Sequence, residues 1–350
     1  MTYPPTYRAW RRTTGPYPHS ITLSTEVLPG FLDPHDVVIR IHAVALNYRD
    51  VAMLHEGCYP VPVEDGGVSA SDCAAEVVAI GAEVKDFVVG DRVAPTVDLA
   101  RLTGEDRDQV SIATGGDGPG LLREYAMFED KLLVKLPKHL SWEEASTITC
   151  AGVTAWVALD SLRGLTEGAT AMMQGTGGVS MFALLICLAA GIRPIITSSS
   201  DAKLAKIKQF DPRIQGINYK QHPDVAAEAL RLTEGKGVDY IVNNIGLASV
   251  PSDLRALRKL GGIVALVGFL DGWKAGWSGD EIATVLFKAA RIQGILGGSK
   301  ADFVALNAFL DQKKVKLNSL IDKTFSIQNA PAAFDYLWSG KHVGKVVIKF

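Results

Sequence analysis

Cysteine is scarce in this chain: four in 350 residues, Cys58, Cys73, Cys150 and Cys187. None forms a C-x-x-C pair, which removes the dithiol and zinc-ribbon signatures. A disulfide framework is not expected in so long a chain, so the sequence reads as a reduced, cytoplasmic protein. An excess of one charge is lacking too. Thirty-six Lys and Arg face 38 Asp and Glu, a formal net charge of -2. Without a Lys/Arg cluster there is no field to draw in nucleic acid or a membrane surface. Long apolar runs are missing as well. The most apolar stretch, Met181 to Ala190, is about half of what a membrane helix needs and stops at Gly191-Ile192-Arg193-Pro194. It reads as a buried helix. Met1 to Ser20 carries arginines and prolines but no apolar h-region, so no signal peptide is expected. No internal repeat or low-complexity segment is present.

What is there is ordinary globular material, 47% hydrophobic and 21% charged. Single cores stop growing at roughly 250–300 residues, so two domains are expected. The first third shows short β-branched runs broken by Gly and Pro: Val37 to Ile41, Ala75 to Ile80, and the turn Gly90-Asp91 feeding Arg92-Val93. That is the pattern of an all-β unit. Pro95 to Gly120 is polar and irregular and reads as a long surface excursion. After about residue 150 apolar strands alternate with helical patterns. Strands are expected at 170–174, 194–197, 216–218, 238–243 and 263–268, and helices at 179–190, 202–209, 224–233 and 252–259. This alternation predicts a parallel sheet covered on both faces. Helical segments near 301–312 and 330–339 and a last strand, 344–350, complete the chain.

One turn carries chemistry. Met172-Met173-Gln174-Gly175-Thr176-Gly177-Gly178-Val179-Ser180 runs from an apolar strand through glycines into an apolar helix. Glycines let the backbone approach a pyrophosphate, and the helix N-terminus turns its unpaired N–H groups toward it. Ser180 stands where the third glycine of the pattern belongs, which predicts a slightly looser strand–helix approach. NAD sites place an acid at the end of the second strand. Here that position is Ser198, followed by Ser199, Ser200, Asp201 and Lys203. Hydroxyls and a lysine suit a 2′-phosphate, so NADPH is the expected cofactor. Asp201 is expected to cap the following helix. The plainer alternative is a capped helix with a solvated lysine.

The chain as a whole resembles the medium-chain dehydrogenase/reductases, in their zinc-independent quinone-oxidoreductase-like branch. The markers run in order: Ala45-Leu46-Asn47-Tyr48-Arg49-Asp50, Val89 to Val93, Cys150-Ala151-Gly152-Val153-Thr154-Ala155-Trp156, Gln174 to Ser180, Gly216-Ile217-Asn218-Tyr219, Gly237-Val238-Asp239, Val267 to Leu270, and Ser339 to Val347. The resemblance implies an α/β chain. It would combine a chaperonin-10-like β domain, residues 1–134 with 298–350, and a Rossmann doubly wound parallel sheet, residues 135–297. The active site would lie between them, and a homodimer would join Rossmann sheets edge to edge. It further implies that Gly175, Thr176, Gly177, Gly178, Val179 and Ser180 take the pyrophosphate. Ser198, Ser199 and Lys203 would meet the 2′-phosphate, and Tyr219 the adenosine ribose. Asn243, Ile245 and Gly246 would flank the riboses. Gly268, Phe269, Leu270, Gly298 and Ser299 would approach the nicotinamide, with Thr154 and Asn47 on its other side.

Zinc-dependent relatives carry Cys, His and Cys where this chain has Asn47, Ser71 and Cys150, and an acid where it has Asp72. Two groups and an amide make a poor zinc site, which needs three good ligands. The four-cysteine structural lobe is missing, since residues 95–120 contain no cysteine. No metal is expected. The pairs His55/Cys58 and Cys73/Glu76 read as coincidences of spacing. Without a Lewis acid the acceptor must be polarised by hydrogen bonds, which suits the activated C=C of an α,β-unsaturated carbonyl or a quinone. Tyr48 is the first candidate donor, Tyr59 the second, and Ser71 a further contact. Each tyrosine has the alternative of simple packing. An NADP(H)-dependent alcohol dehydrogenase or aldehyde reductase, or a non-enzymatic cofactor-binding protein, remain the other readings. The partner is a small-molecule substrate. Trp273 and Trp277 read as packing residues, or as lining for a pocket or dimer contact.

Overall fold

The computed structural model describes residues 3–272 and 274–350 of the 350-residue chain. Trp273 therefore lies outside the described residues. The chain divides into two units, one formed by residues up to Val153 together with Gly297–Phe350, the other by Thr154–Leu296.

The first unit is built on strand Asp36–Leu46, whose sequence DVVIRIHAVAL is rich in β-branched residues and buried along most of its length. It pairs antiparallel with Lys345–Lys349, Cys73–Ile80 and Tyr125–Glu129. The sheet continues through Arg92–Pro95 to Leu133–Lys135 on one side and to Ile321–Ser326 on the other. A hairpin, Thr6–Arg12 with Ile21–Val27, forms a separate two-stranded sheet that the sequence pattern did not reveal. The segment expected as a surface excursion is exposed only over its middle. Thr96, Asp98 and Thr114 are buried; Thr114 Oγ1 donates to the carbonyls of Ser71 and Val97, and Asp98 accepts from Ser111 Oγ.

The second unit is a six-stranded parallel sheet. Its order is Gln215–Asn218, Arg193–Ser198, Thr170–Met173, Tyr240–Asn243, Ile263–Leu266 and Arg291–Gly294. This is the 3-2-1-4-5-6 arrangement of a dinucleotide-binding fold, which binds ligands at the carboxyl ends of its strands. Helix Gly178–Ala189 is apolar almost all round, and Ser180 through Cys187 are buried in it. That is why it reads so strongly in sequence.

Candidate active site

In the second unit the turn after strand Thr170–Met173 has the geometry a pyrophosphate needs. Gly175 adopts φ +78 and Gly177 is the N-cap of the apolar helix. A Cβ built on either glycine meets nothing within 4 Å, so the backbone faces open space. The first N–H groups of the helix have no intrahelical acceptors and point there. Gly175 N–H donates to Thr197 Oγ1 (3.2 Å), tying the turn to the second strand. Ser180 is buried and donates to the Gln174 carbonyl (2.7 Å) while accepting from Asn244 Nδ2 (2.9 Å). The serine thus bridges strand and helix where a glycine would merely let them approach.

At the end of the second strand, Ser198 is buried, with its Oγ accepting from Ser200 N–H. Ser199 is exposed and Lys203 half-buried. The helix cap is Ser200, which accepts from Lys203 N–H, rather than Asp201. Asp201 is the first helical residue, and its two carboxylate oxygens accept from Asn218 Nδ2 (2.9 Å) and Gln221 Nε2 (2.5 Å). Tyr219 is exposed beside them.

The loops after the next two strands zip together. Val267 and Gly268 N–H both donate to the Asn243 carbonyl, Leu270 N–H to that of Asn244 and Asp271 N–H to that of Ile245. Gly246 sits at φ +111, ψ -156, a conformation open essentially to glycine alone. Phe269 is half-buried and Leu270 exposed. Beneath this loop lies a hub that sequence reading missed. The buried Asp253 carboxylate accepts from Gln174 Nε2 (2.6 Å), Asn243 Nδ2 (2.7 Å) and Ser249 Oγ (3.1 Å). Burial pushes this carboxyl up to about 7 against those three donors. Asn243 is consumed by the hub, its Oδ1 accepting from Gly246 N–H (2.7 Å). Trp277 packs on the same core, its Nε1 donating to the Leu247 carbonyl. Thr154 is buried in helix Val153–Ala158. Asn47, Gly298 and Ser299 belong to the first unit, where Ser299 caps helix Lys300–Lys313.

In the first unit, four chain segments deliver one polar cluster. Asn47 Nδ2 donates to Ser71 Oγ (3.2 Å) and Asp72 Oδ2 (3.0 Å). Asp72 Oδ1 accepts from Cys150 N–H (2.8 Å), in the π-helical turn Ile148–Gly152, a feature common at functional sites. Lys345 Nζ donates to Asn47 Oδ1 (2.7 Å) and Asp72 Oδ2 (3.3 Å). Asn47 N–H donates to Asp50 Oδ2 (2.8 Å), and Ser71 Oγ leans toward Asp50 Oδ1 (3.5 Å). Burial raises the Asp72 carboxyl, and the ammonium and amide work against it. Burial likewise takes Asp50 up to about 6 and the Cys150 thiol up to about 12, so Cys150 is a neutral thiol. Ser71 is fully buried. Tyr48, by contrast, is 42% exposed, and its hydroxyl has no hydrogen-bond partner among the described residues. Its ring lies nearly parallel to Trp338, on which His55 also stacks. Tyr59 is half-buried under the Arg49 guanidinium, 5.8 Å from its ring centroid, and Arg49 Nη1 donates to the Thr114 carbonyl. Cys73 and Glu76 sit in a strand, on opposite faces, and Glu76 is spent on Arg40 and His42.

These donors do not fit a catalytic zinc. The amide nitrogen has spent both hydrogens, its oxygen is taken by an ammonium, and the acid beside it is shared among three donors. A dinucleotide does fit the second unit, on the open glycine turn and the helix N-terminus above it.

Comparison with known proteins agrees with this architecture. Residues 33–138 match the alcohol dehydrogenase GroES-like domain and residues 178–312 the zinc-binding dehydrogenase domain. A zinc-type alcohol dehydrogenase-like protein of Schizosaccharomyces pombe is 35% identical over 327 residues, 92% of this chain and 93% of its own. A quinone oxidoreductase of Pseudomonas aeruginosa is 30% identical over 233 residues, 66% of this chain and 65% of its own. A crystal structure from Sinorhizobium meliloti 1021, assigned as an alcohol dehydrogenase, superposes with TM-score 0.89 at 33% identity, covering 99% of this chain and 100% of that one. With a chaperonin-10-like β unit, a Rossmann sheet of the right order and a dinucleotide turn in place, the chain belongs to the medium-chain dehydrogenase/reductase superfamily.

Proposed function

We propose that this chain is a zinc-independent, NADPH-dependent oxidoreductase that reduces the activated C=C of an α,β-unsaturated carbonyl or a quinone. The observation that carries the reading is the cluster around Asn47. Its members satisfy one another, so the substrate oxygen must be polarised by other hydrogen-bond donors. A conjugated C=C takes hydride at its β-carbon and gathers charge on an oxygen that such donors stabilise. Tyr48, the residue after Asn47, is 42% exposed, with a hydroxyl that has no hydrogen-bond partner among the described residues, and is the proposed donor, with Tyr59, under Arg49, as the second. Ser71, fully buried, braces Asn47 from behind. NADPH held by the second unit would supply the hydride. The preference for NADPH over NADH rests on Ser198 in the acid position, on Lys203, and on an Asp201 whose oxygens are already bonded. The name of the P. aeruginosa relative supports a quinone or related acceptor.

The test is NADPH consumption across a panel of enones, quinones and aldehydes, with alcohols and NADP⁺ in the reverse direction. An enone or quinone is expected to exceed any aldehyde in kcat/KM by at least about tenfold, or roughly 1.4 kcal/mol. Alcohol oxidation without enone or quinone turnover would overturn the reading.

A further inference from the structure

We infer that Lys345 is a built-in cation of the active-site cluster, a positioning residue whose ammonium holds Asn47 and Asp72 in place where zinc-dependent relatives rely on a metal. The inference rests on the metal-free reading above and adds to it the group that performs the metal's organising task.

The register of the sheet delivers this residue. Val346 lies opposite Leu46 in the antiparallel pair, so the next residues along, Lys345 and Asn47, are brought together. On the other side of the same central strand, Val44 lies opposite Cys73, which carries Asp72 toward the same place. Lys345 is 1% exposed, the most deeply buried lysine of the chain, and Asp72 is fully buried. An ammonium is buried this way only when it is paired and hydrogen-bonded. Its partners are Asp72 Oδ2 and Asn47 Oδ1. Fixing Oδ1 fixes the amide, whose nitrogen then faces Ser71 and Asp72. Asp72 in turn receives the Cys150 N–H of the π-helical turn. One charge thereby organises Asn47, the residue before Tyr48, and Cys150, residues that reach the cluster from distant parts of the chain.

Deleting the side chain leaves a hole lined by a carboxylate and a carbonyl oxygen, a receptor for a small cation. The experiment compares the parent with Lys345→Ala in full-length protein, using the best substrate the parent turns over. Lys345→Ala is expected to keep its NADPH affinity and lose kcat by at least tenfold, about 1.4 kcal/mol. Ethylammonium or propylammonium chloride should restore part of that loss, whereas propanol and sodium chloride should not. Cobalt(II) added to the parent should give no d–d absorption. An unchanged kcat in Lys345→Ala, equal rescue by propanol, or a cobalt-binding parent would each overturn the inference. If Lys345→Ala does not fold, Lys345→Met/Asp72→Leu removes both charges together. Full kcat in that variant would also overturn it, and a folded variant of low kcat would uphold it. Failure of the enone reading would show in the substrate panel alone, leaving the amine rescue and the cobalt result to decide the role of Lys345.

Discussion

Tyr48 is the side chain on which the proposed chemistry turns. Its hydroxyl, unpartnered among the described residues on a side chain 42% exposed, contrasts with the mutually bonded polar groups of Asn47, Asp50, Ser71 and Asp72. If it stabilises charge that develops only in the transition state, Tyr48→Phe should lower kcat and kcat/KM alike, by about 2.7–4 kcal/mol, with NADPH affinity unchanged. Steady-state kinetics on the best enone or quinone checks this, and unchanged turnover would remove the Tyr48 hydroxyl from the chemistry. Lys203→Ala should weaken NADPH much more than NADH, by about 1–3 kcal/mol, as fluorescence titration of both cofactors would show. Asp253 gives a pH signature. Its folded-state carboxyl is raised to about 7 from an ordinary value near 4. The folded protein then binds more protons than the unfolded chain between about pH 4 and 7, so stability falls as pH rises through that window. Asp253→Asn should be less stable overall, because it turns an amide N–H toward donors, and should lack that decline. Denaturation of both proteins from pH 5 to 8 measures the difference. As candidates, Tyr48, Ser198 and Lys203 were readable in the sequence, because their neighbours form a local motif. Lys345 was not, because its partner Asn47 lies 298 residues away and only strand register joins them.

At the scale of elements, period decided what could be read. The Rossmann half alternates apolar strands with helices, and each strand and helix expected there is present with its ends shifted by a few residues. Thr6–Arg12 (TYRAWRR) carries three arginines and Arg291–Gly294 (RIQG) is only four residues long, so neither shows an apolar strand pattern in sequence. The π-helical turn at Cys150 has no sequence signal at all; its N–H is directed by Asp72, far off in sequence. The Asn243–Ser249 loop depends on Gly246, whose Cβ would lie 3.1 Å from Phe269 Cα and whose φ is +111. Gly246→Ala should destabilise the protein by about 1–3 kcal/mol and loosen cofactor binding, since the strained conformation is glycine's own. Thermal denaturation with and without NADPH tests both effects. A variant as stable as the parent would mean the loop can refold around the methyl.

Across the whole molecule, two units of different construction divide the labour: a β unit supplies the polar cluster and a parallel sheet the dinucleotide turn. Among the described residues no helix is long and apolar enough to cross a membrane. Strand Arg291–Gly294 ends the parallel sheet, and Leu286 and Phe287 just before it are 77% and 78% exposed. An open strand edge flanked by apolar side chains suits pairing with a second copy, so the proposed assembly is a homodimer. Light scattering should give twice the 37.5 kDa chain mass, and Phe287→Asp should shift the protein toward the monomer. The central claim, reduction by NADPH without a metal, is tested most directly by one assay. Protein treated with a strong chelator, its zinc content measured, is given NADPH and an enone or quinone. Undiminished turnover with far less than one zinc per chain is the expected result. Turnover that disappears with the chelator and returns with stoichiometric zinc would contradict it.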